Sequence, residues 1–264
     1  MRPIAELSAC LPAPPLGVFT DIDDTLTSDG RLSAAVYAAL ERLQAARVRV
    51  VPVTGRPAGW CDMIARVWPV DGVVGENGAF YFHYERGERR MIRRFAVAAD
   101  ERAHNRQRLH ELGQRIVAAV PGCAVAADQA YRESDLAIDV AEDVGPLPPG
   151  DIDAIVAAFV AAGATAKVSS IHVNGWFGSY DKAGMMQRFA REVLHCDLER
   201  QNERFVFVGD SPNDAPLFAF FRNACGVASV RDYGDRMACY PRFVAPARGG
   251  AGFLEIVDEI LKAR

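Results

Sequence analysis

The sequence predicts an α/β protein, with a Rossmann-like, doubly wound parallel-sheet core and an inserted α+β cap domain. Two observations carry this. Near both ends of the chain, short apolar runs alternate with amphipathic stretches of helical period, the rhythm of β-α-β units. Between them the rhythm changes to hairpin-like and helical segments that form a set of their own. Residues 1–83 and 176–264 are therefore read as the core and residues 84–175 as the cap.

Residues 16–20 are apolar and end at acidic residues, as a strand buried on both faces does. Ser33 suits the N-cap of a helix reaching residue 46, with Val36, Leu40 and Leu43 on one face. Residues 48–53 give a second strand, Pro57 suits the start of the next helix, and residues 72–75 give a third strand. Residues 79–95 read as a hairpin with a turn at Gly87, followed by a polar helix over 100–120. A strand over 136–140, a loop over 145–150, a helix from Asp151 to residue 162 and one strand over 166–173 complete the middle block. The core resumes with a helix over 182–194, strands over 205–209 and 224–227, and a last helix over 252–261.

Half of the residues are apolar, which is ample for a core. The net charge of −4 disfavours a general nucleic-acid binder, which needs a basic surface. The six cysteines form no CxxC pair and no zinc-ligand spacing, and are read as reduced thiols of a cytoplasmic protein. No apolar stretch is long enough to span a bilayer, so no membrane partner is expected; the assembly is a monomer or a homodimer.

The strongest chemical signal is Phe19-Thr20-Asp21-Ile22-Asp23-Asp24-Thr25-Leu26. An apolar strand delivers two carboxylates at its C-terminal end, where ligands bind in open α/β sheets. Carboxylates this close repel unless a cation or a proton lies between them, and with phosphate oxygens they suit Mg²⁺. Three further elements follow. Val53-Thr54-Gly55-Arg56 offers a hydroxyl and backbone N–H groups after the second strand. Tyr180-Asp181-Lys182-Ala183-Gly184 puts a lysine at a helix start. Phe207-Val208-Gly209-Asp210-Ser211-Pro212-Asn213-Asp214 again ends an apolar strand with carboxylates.

In this order, the four elements resemble the DxDxT, Thr, Lys and GDxxND motifs of the haloacid dehalogenase superfamily. The insertion lies between the second and third, the place of the αβ cap in the sugar-phosphatase branch, subfamily IIB. That branch includes sucrose-phosphate, mannosyl-3-phosphoglycerate and hexose-phosphate phosphatases. Gly75-Glu76-Asn77-Gly78-Ala79 resembles its "NGA" turn, and the glycine-rich stretch 247–253 resembles the turn before its last helix.

The resemblance implies a Mg²⁺-dependent phosphatase acting on a small phosphorylated metabolite, a sugar phosphate or a glycosyl phosphoglycerate. It implies Asp21 as the nucleophile that becomes an aspartyl-phosphate, and Asp23 as general acid and base. Mg²⁺ would be held by Asp21, the backbone carbonyl of Asp23 and Asp210, with Asp214 on a metal water or on Lys182. Ile22, Asp23, Thr54, Gly55, Lys182 and Asn213 would hold the phosphate, and Thr25 would fix the loop. A phosphomutase using the same nucleophile is the alternative; a non-catalytic binding module is disfavoured by the complete motif set.

Substrate contacts outside the motifs are sought at Arg56, Asn77, Arg132, His172 and Asn174. His172 and Asn174 alternate on one strand face, within reach of the cleft, and suit either a substrate contact or a structural hydrogen-bonded role. Arg132, Glu133 and Asp135 suit a surface turn or a sugar-reading loop. Arg86, Arg89, Arg90, Arg93 and Arg94 suit a solvated hairpin face or a site for a second anion. Trp60 and Cys61 are expected to be packing residues.

Overall fold

The computed structural model describes residues 1–11 and 13–263. Its centre is a parallel six-stranded sheet in the order Arg2–Pro3, Phe243–Val244, Asn223–Gly226, Phe205–Gly209, Gly17–Thr20, Arg49–Pro52. A single bridge from Val53 to Val74 joins it to a smaller antiparallel sheet made of Val73–Gly75, Phe80–Glu85 and Arg90–Phe95. The period of two sends Val18, Val50 and Val208 to one face, against Leu40, Leu43 and Phe253. It sends Phe19, Val51 and Phe207 to the other, against Met186, Phe189 and Phe218. Both faces are covered, which is why these strands read as continuous apolar runs.

Strand order reverses between Gly17–Thr20 and Phe205–Gly209, so this adjacent pair flanks the switch point where open α/β sheets bind ligands. Asp21 and Asp210 follow these two strands directly.

The middle of the chain forms a four-stranded antiparallel sheet in the order Thr165–Val168, His172–Trp176, Leu136–Asp139, Ala124–Val125. The helices Ala99–Ala119 and Pro149–Ala161 pack on it through Leu109, Ile116, Ile155 and Phe159. Gly175 lets the Phe159 ring lie against the strand; a Cβ there would meet the ring at 2.1 Å. Val173 joins this apolar cluster, so His172, Asn174 and Trp176 face the opposite way, toward the catalytic end of the core.

Several expectations need correction. The single strand over 166–173 is two strands joined by a turn at 169–171, and His172 opens the second of them. The helix expected from Asp151 starts at Pro149, capped by Pro148. The domain limits at 84 and 175 fall inside the strands Phe80–Glu85 and His172–Trp176. The hairpin buries Phe80 and Phe82 with the core, whereas the cap's own apolar cluster draws on residues from Leu109 to Phe177. Among the described residues no helix is long and apolar enough to cross a membrane.

Candidate active site

After the strand Gly17–Thr20 the backbone closes a tight loop. The Ile22 carbonyl accepts N–H bonds from Thr25, Leu26 and Thr27, and Asp24 takes φ +56°. The Ile22 side chain is buried in the core, while Asp21 and Asp23 line a cavity beneath the cap. Lys182 opens the helix Lys182–Glu192, whose N-cap Asp181 accepts from Gly184 N. Gly78, at φ +103°, lets that helix start come close, since a Cβ would stand 2.0 Å from the Asp181 carbonyl oxygen. Lys182 Nζ donates to Asp21 Oδ1 at 2.9 Å and to Asp214 Oδ1 at 3.3 Å. The other oxygen of Asp214 accepts from the backbone N–H of Asp210 and Ser211, so Asp214 holds both the lysine and the loop. Thr25 donates to Asp210 Oδ1 at 3.3 Å, fixing loop to loop.

Asp21, Asp210 and Asp214 each bring a carboxylate oxygen into a group within 4.8 Å of one another. One lysine faces three buried acids. Burial pushes the Asp21 carboxyl up to about 7, with Asp214 and Asp23 adding to the rise and Lys182 opposing it. Asp210 is raised well above its ordinary value by burial and by the Asp214, Asp21 and Asp24 carboxylates. Burial alone would lower the Lys182 ammonium; the two carboxylates outweigh it and keep the group charged. The group has a surplus of negative charge and oxygen-only donors, with no histidine or thiolate. It fits a hard divalent cation such as Mg²⁺.

The cavity holding this chemistry is lined by Asp21, Asp23, Gly55, Arg56, Asn77, Asp210 and Asn213 from the core. From the cap come residues 169–172 and Asn174. Its volume of about 30 Å³ has room for only about two waters, and a bond from Arg56 of the core to Glu142 of the cap holds the cap against the core beside it. A second cavity of about 110 Å³ shares Asn77 and Asn213 with it and is walled by Lys167, Trp176 and Leu217.

Thr54 is fully buried, and its hydroxyl oxygen accepts from Arg56 N at 3.0 Å. Asn77, at φ +56°, stands over Gly55, and its side-chain nitrogen has no partner among the described residues. Arg56 donates through Nε to both oxygens of Asp23, at 2.9 and 3.1 Å. Its Nη1 donates to Glu142 Oε1 at 2.8 Å, and its guanidinium lies over the Trp60 ring, 4.4 Å from the centroid. Trp60 is thus a half-open stacking platform rather than a packing residue, while Cys61 is buried as expected.

Arg132 is corrected more sharply. It is neither in a surface turn nor among the cavity residues: its side chain is fully buried and spends its donors on Asp128, Asp135 and the Gly55 carbonyl. Asn174 lines the cavity and also donates to Asp135 at 2.9 Å. The hairpin arginines stay at the surface; Arg90 pairs with Glu88, and Arg93 with Asp62.

Beside Arg132 lies a residue that sequence reasoning quoted without giving it a role. Glu76 is fully buried, and both its oxygens accept backbone N–H bonds. Oε1 takes Ala58 of the core and Glu133 of the cap, each at 2.9 Å. Oε2 takes Ser134 at 2.6 Å and Asp135 at 3.2 Å. Burial and the Asp135 carboxylate push its carboxyl up to about 8, against Arg132 and these donors. Every group it bonds is a donor, and an amide in its place would turn an NH₂ toward two of them. Above pH 8, where the carboxyl is ionised, Glu76→Gln should therefore destabilise the protein by about 1–3 kcal/mol for each orphaned donor, read by denaturant unfolding. A loss under about 0.5 kcal/mol would show that the joint carries no load.

Residues 18–112 match the haloacid dehalogenase-like hydrolases, in a stretch that contains Asp21, Asp23, Thr54 and Glu76. No curated protein matches the sequence. Solved structures of similar fold cover nearly all of the chain. A Thermoplasma acidophilum protein is 16% identical, with a TM-score of 0.70, covering 93% of this chain and 97% of its own. Sucrose-phosphatase from Synechocystis sp. PCC6803, solved with sucrose and phosphate, is 15% identical, with a TM-score of 0.62 and coverages of 93% and 98%. The HAD subclass IIB sugar phosphatase BT4131 is 14% identical, with a TM-score of 0.58 and coverages of 87% and 92%. The similarity extends through the cap, so the insertion belongs to the shared fold.

Proposed function

We propose that this chain is a haloacid dehalogenase-like hydrolase, a Mg²⁺-dependent phosphatase of subclass IIB type. Its substrate is a small phosphorylated metabolite, a sugar phosphate or a glycosyl phosphoglycerate. The observation that carries this reading is the pair Asp21 and Asp23 facing one closed cavity, the first held by Lys182 and the second by Arg56. Asp21 attacks phosphorus in line, the leaving oxygen departs with its electron pair, and an aspartyl-phosphate forms. Asp23 delivers a proton to that oxygen, then takes one from the water that hydrolyses the intermediate. Lys182 holds Asp21 in place and, with Thr54, Gly55 and Asn213, offsets charge on the phosphoryl oxygens. Mg²⁺ held by Asp21, the Asp23 carbonyl and Asp210, with Asp214 behind them, would screen the repulsion between nucleophile and phosphate. The sugar-phosphate specificities in the names of the similar structures support the substrate class.

Phosphate release from a panel of phosphorylated metabolites, ranked by kcat/KM, tests the proposal. No release from any of them would overturn it. A sustained requirement for added sugar bisphosphate would instead mark a phosphomutase. On the cap side, His172 and Asn174 line the cavity and are the expected readers of the leaving group. His172→Ala should lower kcat/KM for the best metabolite by about 5- to 150-fold, the worth of one such hydrogen bond. An aryl phosphate, whose leaving group needs little help, should slow far less. Equal slowing of both would move His172 from reading the substrate to supporting the site.

A further inference from the structure

We propose that Glu142 is a positioning residue through which the closed cap sets the orientation of the Asp23 carboxyl. The proposal rests on the reading of Asp23 as proton donor and goes beyond it. Glu142 sits in the loop after the cap strand Leu136–Asp139, and its N–H is held by Asp139 Oδ1 at 2.8 Å. One carboxylate oxygen takes Arg56 Nη1 at 2.8 Å, and the other lies 2.9 Å from His172 Nε2. Arg56 is a core residue, 5% exposed, whose remaining edge grips Asp23 through Nε and Nη2. A continuous line therefore runs from cap strand to cap carboxylate, to core guanidinium, to the carboxyl that handles the proton.

The line has few loose joints. The guanidinium is planar and rigid, so fixing one edge fixes the other. Its face is set by the Trp60 ring at 4.4 Å, which leaves rotation within that plane as its main freedom, and Glu142 stops that rotation. The Glu142 carboxyl is held down to about 2, chiefly by His172, with burial opposing and Arg56 assisting. Opening the cap would withdraw Glu142 and leave Nη1 only the more distant Asp128, 3.8 Å away, to oppose the hold of Asp23. The acid would then be aligned only when the leaving group is enclosed.

A general acid matters most for poor leaving groups, so the readout is the slope of log kcat/KM against leaving-group pKa over a series of aryl and alkyl phosphates. Asp23→Asn is run first and should steepen that slope; no change would overturn the underlying reading of Asp23 and leave Glu142 nothing to position. With that control in hand, Glu142→Ala should steepen the slope too. It should slow alkyl phosphates by at least about 10-fold and the best aryl phosphate by under about 3-fold, within the range a general acid supplies. Glu142→Gln keeps an acceptor for Arg56 and should return most of the loss. Glu142→Asp keeps the charge but withdraws it by one methylene. It should show a smaller loss of the same kind, and it stands as the test if the alanine protein does not fold. Equal slowing across the series, or no slowing, in variants of normal stability would overturn the proposal.

Discussion

Asp21→Asn should leave a folded protein that releases no measurable phosphate from any ester. Asparagine has the shape of aspartate but cannot donate an oxygen lone pair to phosphorus as a carboxylate does, so no acyl-phosphate forms. The loss should be on the order of 10,000-fold or more, as for removal of other covalent nucleophiles. The fold should not suffer. Burial, with Asp214 and Asp23 adding to it, already pushes the Asp21 carboxyl up to about 7 against the pull of Lys182, so neutralising it removes a buried charge that the fold disfavours. Unfolding followed by circular dichroism should give a Tm equal to or above that of the unmodified protein. Near-normal turnover in that folded variant would remove Asp21 from the mechanism.

Stripping divalent cations should be nearly as severe. Asp21, Asp210 and Asp214 crowd their oxygens within 4.8 Å against one lysine, an arrangement a cation relieves. Excess chelator should abolish phosphate release and added Mg²⁺ should restore it, with Zn²⁺ inferior because the cluster has no nitrogen or sulfur donor. A second readout does not depend on turnover. Mg²⁺ binding only the folded state at a hundred times its Kd should stabilise the protein by about 2.7 kcal/mol, seen as a higher Tm. Full activity in chelator after metal removal, with no thermal shift on adding Mg²⁺, would contradict the assignment.

What could be read from the sequence was what is local in the chain. Asp21 and Asp23 lie two residues apart at the end of one apolar strand, and Asp210 and Asp214 end another, so strand plus turn chemistry was enough to find them. That the two ends meet follows from the switch point of a doubly wound sheet. The residues that escaped notice act across long separations. Glu76 bonds N–H groups 57 to 59 positions away, and Glu142 meets Arg56 at a separation of 86. Glu142 sits in no motif and Glu76 only borders the NGA turn, because a carboxylate that serves another segment's backbone or guanidinium leaves no local pattern. The turn at 169–171 was missed for a different reason: Ser169-Ser170-Ile171 has neither Gly nor Pro to mark it, so two strands read as one. Arg132 looked solvated because its two acidic partners, Asp128 and Asp135, make any helix-like stretch look polar. Only the packing shows that all three turn inward.

The Glu76 joint also governs how a substrate reaches the cavity. Four N–H bonds converge on one buried carboxylate, three of them from the cap, and Arg132 adds a fourth cap-to-core link through the Gly55 carbonyl. A lid secured this firmly along one edge cannot float free of its base. Any opening would turn about that edge as on a fulcrum and lift the opposite rim most, away from residues 132–135. The path of admission would then be one-sided. A long phosphate ester would enter phosphate first, with its remaining bulk trailing out through the rim that lifts.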